Sequence, residues 1–440
     1  MLSSSRFITN IMSPRSSYLI IGAGNFGAAT ALSLAGRSTT AKTTLVDAAP
    51  FPDPRAASHD INKIVRDDYP HPVYMKLMLE GMKKWRSDPL YSPFYHQTGA
   101  MRADPGRFSQ DCLDMYKKLG VETEAGWISV DEGRNRWSRV FASSNFGELQ
   151  KLFWNPRVGW AEAEQALTKV IETAISKGVE YKASAVAKLI FDDSGACVGA
   201  QLSDGSEVRA DVTLVATGAG TAPLLYRTDP SNKSLHAGDR AVATGAMSFY
   251  GRWDKERRQK FQDVPVLKVS VPGVKGEAMS LAKDGVIKFN CDLCFTNLQK
   301  QEDGTILSVP PDEANKFTWT TDMSQKFKDV AQRTLHGLYG ENANGVEIEG
   351  YRLCWDASTP THDFLISAHP HSKNLYIATG GSFHGWKFLP VIGDCIVEMM
   401  EGTLDQTLAD RWAFDKPPSF PGDKPMPSYV TSGDLADYFD

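Results

Sequence analysis

Residues 16–36 read SSYLIIGAGNFGAATALSLAG, in which a short apolar run from Tyr18 to Ile21 leads directly into Gly22, Gly24 and Gly27. In this arrangement the first glycine permits a tight turn, and the second lets the backbone approach a pyrophosphate. The third allows the following helix to pack closely on the strand. The start of that helix offers unpaired N–H groups and a partial positive charge to phosphates. The stretch therefore predicts a strand, turn and helix that bind a dinucleotide.

A carboxylate follows at the spacing that such a unit needs. The run TTLVD predicts a second strand ending at Asp47, about twenty residues after the last glycine. At this position the Asp47 carboxylate can accept hydrogen bonds from the ribose hydroxyl groups. An NAD dehydrogenase would continue with a third strand of the same sheet. Residues 48–69 (AAPFPDPRAASHDINKIVRDDY) are instead polar and contain prolines. The sequence therefore favours FAD over NAD.

Two further apolar runs end in glycines far along the chain. They are VTLVATGAG, which contains Gly218, and NLYIATGGS, which contains Gly381. Three such strands separated by long insertions predict an α/β fold with a Rossmann-type FAD-binding domain assembled from discontinuous segments. The inserted runs RAVATGAMSFY, VPVLKVSV and GVIKFN alternate apolar and polar residues. We therefore expect a second, α+β substrate domain with an antiparallel sheet.

The same patterns predict element and domain limits. We expect helices over 71–85, 107–118 and 161–177, and one continuous strand over 181–193 that forms a hairpin with 197–210. We assign 17–95, 150–225 and 350–412 to the FAD-binding domain, and 96–149 and 226–349 to the substrate-binding and catalytic domain. Residues 413–440, rich in Pro, Ser, Gly and Asp, are predicted to form an irregular surface arm.

Composition narrows the class of protein. With 440 residues the chain is long enough for two joined domains, and 42% hydrophobic and 23% charged residues are ordinary for a globular protein. A net charge of -5 argues against a nucleic-acid surface, and no run approaches the roughly 18 apolar residues of a membrane helix. Six scattered cysteines indicate a reducing compartment. We predict a cytoplasmic protein; residues 1–17 weakly resemble a mitochondrial leader, and a mitochondrial or peroxisomal location is the alternative.

Four blocks of sequence resemble one family in the same order along the chain. They are GAGNFG (22–27), DINKIVRDDY (60–69), GYRLCWDASTPTHDFLI (350–366) and ATGGSFHGWKFLPVIG (378–393). The chain resembles the amine-oxidising flavoproteins of the monomeric sarcosine oxidase family, which have a glutathione reductase-like FAD domain of the D-amino acid oxidase type. Its likeness is to the fungal branch with fructosyl amino acid oxidases (amadoriases) and saccharopine or pipecolate oxidases. The resemblance implies a monomer that binds FAD, oxidises the C–N bond of a secondary amine to an imine, and reduces O₂ to hydrogen peroxide.

The resemblance also implies a covalent bond between the flavin and Cys354. Family members attach FAD to a cysteine in an Arg-hydrophobic-Cys-Trp setting, which Arg352 to Trp355 match. Attachment needs a thiolate, and neighbouring positive charge lowers the pKa of a thiol. An inert core cysteine is the alternative for a lone Cys. Cys291 and Cys294 form a C-x-x-C at an expected sheet edge, but without a second pair we predict no metal site.

Four cations are the candidate catalytic residues. Relatives place a lysine over the flavin ring where this chain has Lys288, and a cation there stabilises the charge that develops as oxygen is reduced. In relatives the positions of Lys63 and Arg66 touch the flavin face and the substrate carboxylate. Lys387 resembles the second carboxylate-binding cation, so an arginine fork and a lysine point charge would share one carboxylate. Solvated surface positions are the alternative for all four residues.

The resemblance places the cofactor contacts along the whole chain. We predict that the FAD contacts are Gly22, Gly24, Asn25, Phe26, Gly27, Asp47, Ser58, Asn62, Lys63, Val186, Gly218, Cys354, Gly381, Ser382, Phe383, His384, Gly385 and Lys387. His384 could act as a base, but its flanking glycines favour packing or hydrogen bonding near the flavin. Tyr69, Trp355 and Trp386 are candidates for cavity walls, with core packing as the alternative.

One departure bears on the substrate. Amadoriases carry a Cys-Asp-Glu-His-Pro-Gly-like run after the strand lysine, whose glutamate helps to hold the sugar-linked substrate. Here residues 290–295 read NCDLCF without a glutamate, so we expect a more apolar pocket. The favoured substrate is a saccharopine- or pipecolate-type, N-methyl or pathway-specific amino acid, and an Amadori product is the alternative. An FAD dehydrogenase with a non-oxygen acceptor and a non-enzymatic flavin-binding module are further alternatives.

Overall fold

The computed structural model describes residues 17–37, 41–238, 240–313, 316–415 and 431–439. The candidate leader lies outside these residues except for Ser17. Within them the helices are α1 Asn25–Arg37, α2 Pro72–Ser87, α3 Phe108–Lys118, α4 Val130–Asn135, α5 Ala163–Ser176, α6 Thr221–Thr228, α7 Lys255–Phe261, α8 Gln325–Tyr339, α9 Leu389–Glu401 and α10 Gln406–Trp412. None of the helices in this part of the chain is long and apolar enough to cross a membrane.

The strands, in chain order, fall into two large and several small sheets. They are β1 Ser17–Ile21, β2 Lys42–Asp47, β3 Lys63–Val65, β4 Tyr95–His96, β5 Ala100–Ala103, β6 Gly126–Ser129, β7 Lys151–Asn155, β8 Gly159–Ala161, β9 Glu180–Ala183, β10 Val186–Phe191, β11 Cys197–Leu202, β12 Glu207–Arg209, β13 Val212–Val215, β14 Val242–Arg252, β15 Val266–Val271, β16 Val274–Ala278, β17 Val286–Thr296, β18 Leu298–Lys300, β19 Ile306–Ser308, β20 Ile348–Ser358, β21 Leu365–Ala368, β22 Leu375–Thr379 and β23 Thr431–Asp434.

The first large sheet brings together the three strands that end in glycine turns. Its order is β21-β22-β13-β1-β2-β9, and all neighbours are parallel except β21 and β22. β13 and β22 are buried along their whole length, which explains their uninterrupted apolar sequences. One face packs on α1, α5 and α9, and the other on the antiparallel strands β10, β11 and β12. The predicted discontinuous Rossmann-type fold is confirmed.

The second large sheet has the order β20-β14-β17-β16-β15-β5-β7-β6, with β23 paired beside β17. It is antiparallel, as predicted for residues 226–349, except for the parallel pairs β15–β5 and β17–β23. Helix α8 covers it through an apolar face that includes Phe327 and Leu335. Strands β7 and β20 come from segments that we assigned to the FAD-binding domain. The sheet thus extends beyond the predicted limits, and the domain division itself stays a prediction.

Three local expectations are wrong. Residues 181–193 are not one strand, because β9 joins the parallel sheet beside β2 and β10 pairs with β11. The C-x-x-C segment is not at a sheet edge, since β17 lies between β14 and β16. The end of the C-terminal arm is not irregular. There β23 extends the sheet, Leu435 is buried, and the ring of Tyr438 stacks on Phe327 at 4.8 Å; residues 416–430 of the arm lie outside the described part.

Candidate active site

A cavity of about 490 Å³ connects the glycine turns of the parallel sheet with β17 and β20 of the second sheet. Residues from all four family-like blocks line it, although they are separated by up to several hundred positions. The predicted site residues at its wall are Gly22, Gly24, Asn25, Phe26, Asp47, Ser58, Lys63, Arg66, Val186, Gly218, Lys288, Cys354, Gly381, Phe383, His384, Gly385 and Lys387. The structure therefore gathers most of the predicted site around one space.

Three predicted contact residues do not line the cavity. Gly27 lies beneath the turn, where a Cβ atom would be 1.8 Å from the Gly22 carbonyl oxygen, so its role is close packing of α1. Ser382 is buried, and its hydroxyl donates to the Gly380 carbonyl oxygen at 3.1 Å. Asn62 is also buried, but neither polar atom of its side chain has a hydrogen-bond partner.

The first glycine turn and the end of β2 form one end of the cavity. Gly22 has a φ of 103°, and a Cβ atom there would be 2.5 Å from the Ala216 carbonyl oxygen, so only glycine fits this turn. The Asp47 carboxylate accepts hydrogen bonds from the backbone N–H of Ala23 at 2.5 Å and of Ala48 at 2.7 Å. Burial raises the pKa of Asp47, although these two hydrogen bonds act to lower it. Its carboxylate is thus held at the cavity wall by the turn it follows.

Lys63 and Lys288 meet at a buried carboxylate that the sequence analysis did not single out. Asp60 Oδ2 lies 2.9 Å from Lys63 Nζ and 2.5 Å from Lys288 Nζ. Burial acts to raise the pKa of Asp60, but the lysines outweigh it and hold that pKa well below its usual range. Burial lowers the pKa of Lys288 in spite of Asp60. The two lysines and the Asp60 carboxylate together leave a net positive charge at a position that is shielded from water.

Cys354, on β20, lies near Lys63 and Lys288. It is 8% exposed and lines the same cavity as Lys63 and Lys288. The residues two positions before and two positions after Cys354 hold two loops in place. Arg352 donates to the backbone carbonyls of Pro54, Ala56, His59 and Phe317, and Asp356 accepts from the Phe383 backbone N–H at 2.8 Å.

Arg66 and Lys387 come together at the wall of the same cavity. The Arg66 guanidinium carbon lies 4.5 Å from the centre of the Tyr69 ring, and Arg66 Nη1 lies 3.4 Å from Asp68 Oδ2. Lys387 Nζ donates to the His384 carbonyl oxygen at 2.7 Å and to the Tyr69 hydroxyl at 3.2 Å. Burial, and then Arg66, lower the pKa of Lys387 well below its usual range. Both predicted carboxylate-binding cations are therefore buried at one wall.

The His384 ring has two hydrogen-bond partners. Its Nδ1 lies 3.2 Å from the Tyr69 hydroxyl and its Nε2 lies 2.8 Å from the His362 carbonyl oxygen. Burial, and then Lys387, lower the pKa of His384 to about 3, so the ring is neutral near pH 7. These contacts support the packing and hydrogen-bonding role rather than that of a base, and the role stays a prediction.

The cavity wall near β17 is more polar than we expected. Glu277 on β16 is paired in register with Asn290 on β17, and both line the cavity. Its carboxylate accepts from Asn290 Nδ2 at 3.1 Å and from Lys268 Nζ at 2.9 Å. Burial acts to raise the pKa of Glu277, but Lys268 and Asn290 outweigh it and lower that pKa to about 2. Glu277 on the neighbouring strand thus places a buried carboxylate at this part of the wall, although residues 290–295 contain no glutamate.

Comparison with known proteins places this site in a family. Residues 17–399 match the DAO family, which is described as FAD dependent oxidoreductase. The chain belongs to this family. The L-saccharopine oxidase of Schizosaccharomyces pombe is 27% identical to it over 416 residues, which cover 90% of this chain and 92% of that protein. An amino acid oxidase of Aspergillus flavus is 26% identical over 453 residues, which cover 87% and 92%.

A solved structure resembles this FAD-dependent oxidoreductase over most of its length. It is the deglycating fructosamine oxidase of Aspergillus fumigatus (Amadoriase II) in complex with FSA. The TM-score is 0.77 at 25% identity, and the match covers 92% of this chain and 90% of that chain. The predicted family, fold, enzyme class and FAD cofactor are confirmed, and its relatives are amine oxidases.

The residues of this FAD-dependent oxidoreductase fit its cofactor. Asn25 Oδ1, at the start of α1, is buried at the cavity wall without a hydrogen-bond partner. Buried polar atoms without partners are rare in native proteins, so Asn25 Oδ1 is available to a polar group of a bound ligand. A Cβ atom at Gly218, on the next glycine turn, would meet no atom within 4 Å, which leaves that wall open.

Arg102 on β5 is a further wall residue that sequence reasoning missed. Its guanidinium carbon lies 4.4 Å from the centre of the Phe108 ring, and its Nη2 lies 3.9 Å from Asp68 Oδ2. Arg66 shares both neighbours, at 5.4 Å from the same ring and 3.4 Å from the same oxygen. Two guanidinium groups thus share one carboxylate beside Lys387. No motif marks Arg102, because its place depends on the parallel pairing of β5 with β15.

Proposed function

We propose that this protein is an FAD-dependent oxidase that acts on the C–N bond of a carboxylate-bearing secondary amine and passes the electrons to O₂. The observation that carries the proposal is the burial of Arg66 and Lys387 at one wall of the cavity that the glycine turns and Cys354 also line. Buried cations are retained where an anion compensates them. The similarity to proteins named L-saccharopine oxidase and amino acid oxidase supports an amino-acid substrate.

Each group of residues has one task in this proposal. Bound FAD supplies the acceptor for a hydride from the carbon next to the amine nitrogen. Arg66 and Lys387 bind and orient the substrate carboxylate, Arg66 by its fork and Lys387 as a point charge. Lys288, held by Asp60, stabilises negative charge as oxygen is reduced. The oxygen acceptor, a monomeric state and a cytoplasmic location stay predictions.

An Amadori product is the second candidate substrate, and the polar cavity wall is compatible with it. Glu277 and Asn290 place hydrogen-bonding groups at the cavity wall, where the hydroxyl groups of a sugar arm could bind. The solved neighbour named fructosamine oxidase supports this reading. The same groups suit the charged arm of a saccharopine-type substrate equally well, so the wall alone does not select between them.

Peroxide formation across a substrate panel tests the proposal. The panel contains sarcosine, pipecolate, saccharopine, N-methyl amino acids and fructosyl-amino acids, each paired with the same amine lacking its carboxylate. We expect peroxide from at least one acid and far less from its carboxylate-free partner. Peroxide from the carboxylate-free amines alone would contradict the proposed substrate class. Reduction of dyes but not of oxygen would favour the dehydrogenase alternative.

We expect Cys354 to carry the flavin. Acid-precipitated wild-type protein should stay yellow, whereas Cys354→Ala should release its FAD into the supernatant, because Cys354 lines the cavity of the glycine turns together with the cations Lys63 and Lys288. Cys291→Ala is the matched control. Cys291 also lines the cavity, but burial raises its pKa to about 12, so this variant should stay yellow. A colourless wild-type pellet from FAD-saturated protein refutes the covalent bond and leaves the fold intact.

We also expect Glu277 to recognise the arm on the substrate nitrogen. Glu277→Gln should raise the KM for substrates with a hydroxylated or charged arm by about 10- to 100-fold, since hydrogen bonds to charged groups contribute about 1.5–3 kcal/mol. The KM for sarcosine, whose arm is a methyl group, should change less than about twofold. Glu349→Gln is the control, because the Glu349 side chain is 37% exposed and pairs with Arg252. An equal rise for every substrate would mean that Glu277 only holds Lys268.

A further inference from the structure

Lys387 differs from the other lysines that line the cavity. Lys63 and Lys288 share Asp60, and Lys268 lies 2.9 Å from Glu277. Lys387 is 6% exposed, yet in the described part of the chain no carboxylate oxygen lies within 4 Å of its Nζ atom. Its two hydrogen bonds go to the neutral His384 carbonyl oxygen and Tyr69 hydroxyl.

The groups that face Lys387 from neighbouring elements favour its neutral form. Arg66 and Lys63, from β3 and the segment after it, repel a positive charge on Lys387, while Asp68 and Glu277 attract one from beyond ion-pair distance. Burial has the largest effect, and together with Arg66 it lowers the pKa of Lys387 well below its usual range. A buried lysine without a counterion gives up its proton more readily than it binds one.

We propose that Lys387 accepts the proton of the substrate's secondary ammonium group as the substrate carboxylate binds beside it. The substrate enters as a zwitterion; its N–H bond breaks, the electron pair stays on the amine nitrogen, and Lys387 Nζ becomes an ammonium group. No oxidant is needed for this step. In an α-amino acid the nitrogen and the carboxylate share one carbon, so a lysine that contacts the carboxylate lies next to the amine.

This transfer supplies what both partners lack. The substrate carboxylate becomes the counterion of Lys387, and the substrate amine becomes neutral. The amine must be neutral before the carbon beside its nitrogen can lose a hydride. When the product leaves with its carboxylate, the proton on Lys387 again has no counterion and passes to solvent. The inference rests on the proposed function, and it gives Lys387 a task that a permanently charged residue could not perform.

Proton uptake on binding tests the inference without turnover. The probe is an ether analogue of the best substrate, in which oxygen replaces the amine nitrogen. Calorimetry of the holoenzyme in buffers of different ionisation enthalpy should show uptake of close to one proton per bound analogue at pH 8. Lys387→Arg and Lys387→Gln should bind it without uptake. Wild-type binding without uptake, or undiminished uptake in both variants, overturns the inference.

The pH dependence of turnover provides a second readout. Between the lowered pKa of unliganded Lys387 and the pKa of the substrate amine, kcat/KM of the wild type should be flat, because neutral Lys387 then meets the zwitterion. For Lys387→Arg it should rise about tenfold per pH unit, since only the neutral amine reacts. Identical profiles would overturn the inference while leaving the oxidase intact. A panel in which no carboxylate-bearing amine is oxidised would overturn the proposed function and the inference with it.

Discussion

Replacement of Lys288 by methionine is expected to slow the reaction of the reduced enzyme with oxygen by about 10²–10³-fold, the usual effect of one preorganised electrostatic group. Methionine keeps the length and the apolar stem but removes the charge. Lys288 Nζ lies against Asp60 and the Asn62 carbonyl oxygen and makes no contact with the carboxylate-binding pair. Anaerobic reduction by substrate should therefore change only a few-fold. Stopped-flow measurement of both half-reactions checks this.

Asp60, the buried partner of Lys288, requires its own control. Without the lysine, Asp60 keeps Lys63 at 2.9 Å but loses its shorter contact, and a buried carboxylate with less compensation can disturb the site. The double variant Asp60→Asn with Lys288→Met removes that charge as well. It should react with oxygen as slowly as Lys288→Met alone. Oxygen reactivity at the wild-type rate in Lys288→Met would shift the oxygen site to Lys63.

Loss of the substrate carboxylate, or of the cations that bind it, is expected to weaken binding by about 30-fold to several thousand-fold. Removing one member of a charge-assisted pair in a desolvated site costs roughly 2–5 kcal/mol. The methyl ester of the best substrate and the variant Arg66→Met should each show this loss in kcat/KM. With the ester, Arg66→Met should add little further loss, because its partner is already gone.

The control for this prediction is Arg209→Met, which removes an exposed arginine paired with Glu207 on β12. It should leave the KM for acid and ester unchanged. Equal apparent affinity of the wild type for acid and ester would assign Arg66 and Lys387 to the cofactor or to structural packing instead.

The features predicted from sequence are those that local chemistry determines. A buried parallel strand must be apolar throughout and must end in a permissive turn, so β1, β13 and β22 could be recognised without knowing their neighbours. The family-like blocks then identified Lys63, Arg66, Cys354 and Lys387, and the resemblance to relatives identified Lys288; the structure brings all five to one cavity. Local sequence was sufficient because each of these residues belongs to a short segment with its own pattern.

The residues that were missed depend on pairing between distant segments. Glu277 reaches the cavity because β16 pairs with β17 in one register, and Arg102 because β5 pairs with β15. Asp60 lay inside a family-like block, but its role appears only when Lys288 on β17 is placed beside it. The switch from the parallel sheet at β9 to the antiparallel sheet at β10 could not be predicted from the sequence either. Alternation of apolar and polar residues shows that a strand exists but not which strand it pairs with.

The most direct test of the proposed function is an anaerobic titration of the holoenzyme with its best secondary amino acid, followed by admission of air. Flavin absorbance and peroxide are recorded together. We predict bleaching by about one equivalent of substrate, rapid recovery of absorbance in air and one peroxide per flavin. Enzyme that the amino acid does not bleach, or that stays bleached in air until a quinone is added, would contradict an oxidase acting on a carboxylate-bearing secondary amine.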